Sequence, residues 1–181
     1  MRDARRKPIA AAVLLVLAGD AFADIVVVNS CNDPLFPAFG ETTLRSAIAE
    51  AQDNDIVDMS GLACSTITLQ QGELVIEQAS LGLLGPYDHE LTVDAHGSSR
   101  AIHHYGTGEL GIAYLSATHG AASGVSDSGG CIRSSGKLIL QQATLSQCTA
   151  TYRGGGAFAS EVRAAYARIA SNSATFSGGG L

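Results

Sequence analysis

Tryptophan is absent from the 181-residue chain, so no indole face is available to stack on a sugar ring. Basic residues are few: eleven Lys and Arg stand against seventeen Asp and Glu, a net charge of −6. Beyond residue 23 they are also scattered, which leaves no electrostatic footprint for nucleic acid or for an anionic lipid surface. Contact with an acidic polysaccharide such as pectate would need a bridging cation or a local basic groove, and the sequence shows neither. No C-x-x-C pair occurs, which removes the usual zinc spacing. Beyond residue 23 no apolar run approaches the roughly twenty residues that a membrane-spanning helix needs.

The one concentrated basic stretch reads as an address. Arg2, Arg5, Arg6 and Lys7 precede an apolar run from Ile9 to Leu17, and Ala21-Phe22-Ala23 then matches the small-x-small rule for leader cleavage. Cleavage after Ala23 is expected to leave Asp24 as the new N-terminus. The mature chain has 181 − 23 = 158 residues, with 11 − 4 = 7 basic against 17 − 2 = 15 acidic residues, hence a charge of −8. Such a chain is expected to be exported, secreted or held at the surface or outer membrane of a bacterium. In an oxidising compartment four cysteines read as disulfides. Of three connectivities, Cys31–Cys64 and Cys131–Cys148 are expected, because each pair lies within one local unit. On the loop-entropy argument each stabilises by roughly 3–4 kcal/mol.

What the chain does have is an internal repeat. Gly129-Gly130-Cys131-Ile132, Gly154-Gly155-Gly156-Ala157-Phe158 and Gly178-Gly179-Gly180-Leu181 recur, with Gly130 to Gly156 spanning 26 residues and Gly156 to Gly180 spanning 24. Between them stand Lys137-Leu138-Ile139-Leu140 and Thr144-Leu145-Ser146-Gln147-Cys148, and Leu110-Gly111-Ile112-Ala113 is a looser upstream copy of Leu138 to Gln141. Units of this length mean one supersecondary motif stacked on the next. Each holds short β-rich runs, too short for helix pairs, and the leucine-rich pattern is missing. Three short strands per unit, turning at Gly-Gly and at a small polar corner, describe a coil of parallel β-helix. Asn172 is expected in such a corner, its amide bonding along the stack, with Cys148 at the same place one coil earlier. Residues 24–100 read as a cap and first coils, and 101–181 as Gly-rich repeats. A helix is expected over 43–52, where Leu44, Ala47, Ile48 and Ala51 form one apolar stripe behind a Thr43 N-cap. Strands are expected at 25–28, 56–59, 66–69, 74–76, 81–84 and 91–93. Residues 161–168 are charged and Ala-rich, so that coil is expected to be irregular.

Thr43-Leu44-Arg45-Ser46-Ala47-Ile48-Ala49-Glu50-Ala51 resembles the "S-L-R-x-A-I-x-x-A" signature of a broad family of exported bacterial right-handed parallel β-helix proteins. Gly154-Gly155-Gly156-Ala157-Phe158 with Ser171-Asn172-Ser173-Ala174 is similar to its "G-G-G-(I/A)-(Y/F)" and "S-x-N-x-A" motifs. The family includes polymorphic outer-membrane-protein-like and autotransporter-passenger-like chains and shares its fold with pectin and pectate lyases. The resemblance covers roughly 24–181 and implies an all-β solenoid with a short N-terminal capping helix. Members usually run for more coils and often end in an anchor or barrel, so further coils are expected beyond Leu181 in a complete member.

The resemblance specifies chemistry poorly. Asp88, Glu90, Asp94, His96 and Arg100 are the densest polar group, and Asp94 to Arg100 occupies the stretch reading "V-D-G-x-G-x-x-R" in non-enzymatic relatives. An Asp94–Arg100 turn pair is expected, and these two are the weak catalytic candidates. The lyase-type "W-I-D-H" and "R-x-P-x-x-R" patterns are absent. His103 and His104 are adjacent on a strand and so point to opposite faces, which makes joint chelation with His119 unfavourable. Asp53, Asn54, Asp55 and Asp58 resemble a calcium loop but lack its glycine and its terminal glutamate, so they are expected to end the helix. Gly106 to Gly111 fits G-x-G-x-x-G, yet a strand follows it rather than a helix. No metal or other cofactor is expected. The expected role is structural, adhesive or surface-interacting, toward surface carbohydrate or a cell-surface protein. The alternative is a polysaccharide lyase or glycoside hydrolase.

Overall fold

The computed structural model describes residues 23–181; residues 1–22, on which all but the last residue of the expected leader falls, lie outside the described residues. Successive coils carry the strands in repeating order. The first holds β1 (Ile25–Val27) and, after a loop, helix α1 (Leu44–Glu50). The second holds β2 (Ile56–Asp58), β3 (Thr66–Thr68) and β4 (Leu74–Ile76), and the third β5 (Leu81–Leu84), β6 (Leu91–Asp94) and β7 (Ile102–His104). The fourth holds β8 (Glu109–Ala113), β9 (Leu115–Thr118), β10 (Ala121–Ala122) and β11 (Ile132–Ser134). The fifth repeats this with β12 (Lys137–Gln141), β13 (Thr144–Ser146), β14 (Thr149–Ala150) and β15 (Ala157–Phe158), and β16 (Glu161–Ala165), β17 (Arg168–Ala170) and β18 (Ser173–Ala174) follow. Every ladder is parallel, and the strands collect into a six-stranded, a five-stranded, a four-stranded and a three-stranded sheet. The chain is thus an all-β parallel solenoid.

Alternation along each strand sends one set of side chains inward, where equivalent positions stack. On the six-stranded wall Val26, Val57, Leu83, Ile112, Leu140 and Ala164 form one column. Ile67, Val93, Ala117, Leu145 and Ile169 form another on the five-stranded wall. The repeat register is tighter than the glycine spacing suggested: Ile132 pairs with Ala157, 157 − 132 = 25 residues on, so the first interval is 25 and not 26. Gly129, Gly154 and Gly178 are the matching corners, and all three sit at positive φ (74°, 58° and 67°), where a side chain would be strained. The stretch at 161–168, expected to be irregular, is regular. β16 pairs with β12 over all five residues, because Glu161 and Arg163 take outward positions and Val162 and Ala164 inward ones.

The helix covers the N-terminal end with Leu44, Ala47 and Ile48 buried. Thr43 caps it: its Oγ1 accepts from the Ser46 amide at 3.1 Å, and Ser46 Oγ in turn accepts from the Thr43 amide at 2.8 Å. The arginine of the signature has a distinct task. Arg45 donates two parallel bonds to Asp33 (2.8 and 2.9 Å) and one each to the carbonyls of Gly72 and Glu73 (both 2.8 Å). It therefore ties helix, entry loop and second coil together. Burial works against the Asp33 carboxylate, but Arg45 and the amides of Gln70 and Gln71 outweigh it and hold its pKa below the ordinary value. The disulfide Cys31–Cys64 braces the same loop, and Cys131–Cys148 lies fully buried inside the later coils. Both are the pairs expected from local spacing.

Candidate functional site

The corner between the six- and five-stranded walls is made by single residues in left-handed conformation. Tyr114, Gln142 and Tyr166 have φ of 54°, 48° and 54°, and each lies just after the strand of the first wall. The ladder runs through them: the Tyr114 amide donates to the Gln141 carbonyl and the Gln142 amide to the Ala165 carbonyl. These three positions form one column. One coil earlier the place belongs to Gly85, whose amide donates to the Ala113 carbonyl. There a Cβ would fall 2.0 Å from the Tyr114 carbonyl oxygen, so only glycine fits. Tyr87, two residues on, folds back edge-to-face on Tyr114 with ring centroids 4.5 Å apart. Positive φ at a corner swings the side chain outward, and Tyr166 is 92% exposed. Two coils separate Tyr114 from Tyr166, roughly 9–10 Å at the ~4.8 Å strand spacing.

These rings border a cleft of about 470 Å³ whose floor is polar. Ser116 Oγ donates to Glu90 Oε1 at 2.8 Å and accepts from the Thr144 amide at 3.2 Å. His89 closes one side. Its ring nitrogens face the Asp88 carboxylate (2.8 Å) and the Cys64 carbonyl (3.1 Å), and these two acceptors push its pKa up. Glu90 is the one carboxylate, and no Lys or Arg is present, among the residues lining the cleft. Of the residues singled out in the sequence, only Glu90 belongs to it. The tyrosines were missed. Their positions at 114 and 166, one repeat either side of 142, were the available signal.

Asp94 and Arg100 do not meet in a pair. Asp94 Oδ1 accepts from the His96 amide at 2.8 Å and lies 3.1 Å from His119 Nδ1 on the next coil. Arg100 is 4% exposed and spends its donors elsewhere. Nη1 donates to Glu73 Oε2 at 2.7 Å, Nη2 to Asp127 Oδ1 at 2.6 Å, and Nε to the Gly129 carbonyl at 2.8 Å. Its acidic partners lie one coil below and one coil above, which is why an Asp six residues away was the wrong choice. His103 joins this network: Nδ1 is 3.1 Å from Glu73 Oε1 and 3.2 Å from Arg100 Nη1, and it can donate to the first or accept from the second, not both. Burial lowers the His103 pKa, partly opposed by Glu73, and Tyr105 stacks on its ring at 3.9 Å. Each nitrogen of the Arg100 guanidinium has an acceptor on a neighbouring coil, so the cluster reads as a strut between coils.

His104 faces the opposite side, into the core, as strand alternation requires. Nε2 donates to the Gln78 carbonyl at 3.0 Å, which leaves Nδ1 to accept from the Ser134 hydroxyl at 2.8 Å. Burial lowers its pKa and keeps it neutral. The acidic run after the helix is occupied by backbone. Asp53 accepts from the Ala79 amide, Asp55 from the Gln52 and Asp24 amides, and Asp58 from the Ser60 amide. Among the described residues no group of three or more His, Cys, Asp or Glu is arranged to hold a metal ion. No helix among them is long and apolar enough to cross a membrane. The G-x-G-x-x-G match leads into strand β8, and its Gly108 is a close-packing position, where a Cβ would lie 2.5 Å from the Ala79 carbonyl oxygen. Comparison with protein-family models, with curated proteins and with solved structures finds no match for this chain.

Proposed function

We propose that this chain is an exported β-solenoid that binds a non-acidic saccharide along its side wall without transforming it, an adhesive or surface-interacting role. The observation that carries this reading is the corner column with Tyr114 and Tyr166, which border a cleft that also holds hydroxyl, amide and carboxylate groups. Aromatic rings offer a large apolar face at small entropic cost, and polar groups in the same cleft can orient hydroxyls. A hydrolase needs two carboxylates flanking the scissile bond, and the cleft lining supplies Glu90 alone. A lyase needs a base for the α-proton, and Arg100 is buried and committed to Glu73 and Asp127. The absence of Lys and Arg from the lining, with Glu90 present, disfavours acidic chains. The family resemblance and the two disulfides support export.

Calorimetric titration with neutral, amino and acidic oligosaccharides tests the reading. Binding is expected for non-acidic chains, and Tyr114→Ala and Tyr166→Ala should each weaken it about five- to tenfold, in keeping with roughly 1–1.5 kcal/mol per aromatic contact. The competing enzymatic reading predicts unsaturated products from polygalacturonate with calcium. Turnover lost in Asp94→Ala or Arg100→Ala variants that remain folded would replace the binding proposal with that one.

A further inference from the structure

We infer that removal of the leader completes a partly buried ion pair: the new α-ammonium of Asp24 binds the buried Asp55 carboxylate and fastens the first strand to the coil above it. The inference rests on the export reading for the cut itself, but its geometry is independent of the cleft. Asp24 is held from both sides of its backbone. Its nitrogen donates to Asp55 Oδ1 at 2.8 Å, and its carbonyl accepts from the Ile56 amide at 2.9 Å. Asp55 is 5% exposed, and its other oxygen accepts from the Gln52 amide at 2.7 Å. No Lys, Arg or His among the described residues forms an ion pair with Asp55. A carboxylate buried without a cation is a costly arrangement, and such groups are usually paired.

Hydrolysis of the Ala23–Asp24 bond supplies the missing charge in place. Water adds across the amide, Ala23 departs with a carboxylate, and the Asp24 nitrogen gains protons to become an ammonium, its ordinary form at neutral pH. The hydrogen bond already formed then becomes charge-assisted. A chain cut one residue earlier would carry its ammonium on Ala23, past the carboxylate, and keep only the neutral amide bond. The fold thereby distinguishes a chain processed at this bond from one that is not.

The test starts from the precursor exported with its own leader and recovered. Mass spectrometry of its N-terminal peptide shows whether it begins at Asp24; a different start would overturn the cleavage assignment while leaving the pair testable in a chain released from a fusion to begin at Asp24. Lys137 is the only lysine from residue 24 onward, so an amine-reactive acyl reagent meets two amines, and Lys137 serves as internal reference. The α-amine is expected to react about tenfold more slowly relative to Lys137 than it does in Asp55→Asn. The Asp24-start chain should also melt above one that retains Ala23, with the difference gone in Asp55→Asn. Equal labelling ratios, or equal melting of the two starts, would overturn the pair. If Asp55→Asn does not fold, the two starts compared with Asp55 intact decide alone.

Discussion

Two buried residues set the electrostatics of the wall. Arg100 holds Glu73 and Asp127 together across three coils, so Arg100→Ala strips the half-buried Glu73 of its arginine and leaves Asp127 only the more exposed Arg133 at 3.2 Å. Breaking such a pair costs about 3–5 kcal/mol, and denaturant unfolding should show a loss of that order with no change in saccharide affinity. His104 sets a pH dependence. Its folded pKa is lowered by burial, so the stability it contributes is complete above the ordinary value near 6.5 and is lost as pH falls below that toward the lowered value. His103 acts in the same direction and the raised His89 in the opposite one. The melting temperature should drop from about pH 7.5 to about 5.5, and by less in a His104→Gln variant. A flat profile in the native chain would contradict the buried neutral assignment. At this scale the sequence was only partly legible. It showed that His103 and His104 diverge, since alternation is local. It misassigned Arg100 because the partners of a solenoid residue lie a coil away, 27 residues in either direction, where nothing local points.

Among the elements, α1 is the one whose formation the chain encodes most fully. Its apolar stripe, Thr43 cap and arginine are all readable locally, and its observed span falls inside the expected 43–52. What could not be read was the role of Arg45 as a clamp on Asp33, which is 2% exposed and lies 12 residues earlier across a loop. Arg45→Ala is expected to cost about 3–5 kcal/mol and to raise hydrogen exchange selectively over residues 30–50, because it leaves a buried carboxylate without its cation. Thr43→Ala should cost about 1 kcal/mol, the usual value of an N-cap. Uniform exchange throughout the solenoid after Arg45→Ala would show that cap and coils unfold as one unit. The element misread as irregular, β16, has a simple explanation. Val162 and Ala164 fill the inward places as the stack requires, and composition alone hides that when charged residues alternate with them.

Across the whole molecule, each coil buries itself mainly against its two neighbours, so stability accumulates coil by coil. The inner columns were legible as soon as the repeat was seen, since period-two patterning and the Gly corners fix register together. The corner column of Tyr114, Gln142 and Tyr166 was not, because it arises only when residues a full repeat apart are brought into one column. That register has an evolutionary consequence. A tandem copy of residues 137–160, one structural repeat ahead of β16, would insert a coil whose inward side chains meet their own copies, with the later coils carried along unchanged. The added corner would bring another Gln142 and lengthen the cleft by about 4.8 Å. Such a chain is expected to fold, to melt no lower than the parent, and to prefer a longer oligosaccharide. Selection could then tune ligand length by duplication and ligand identity by point mutation at the corner, two independent routes of change open to the same scaffold.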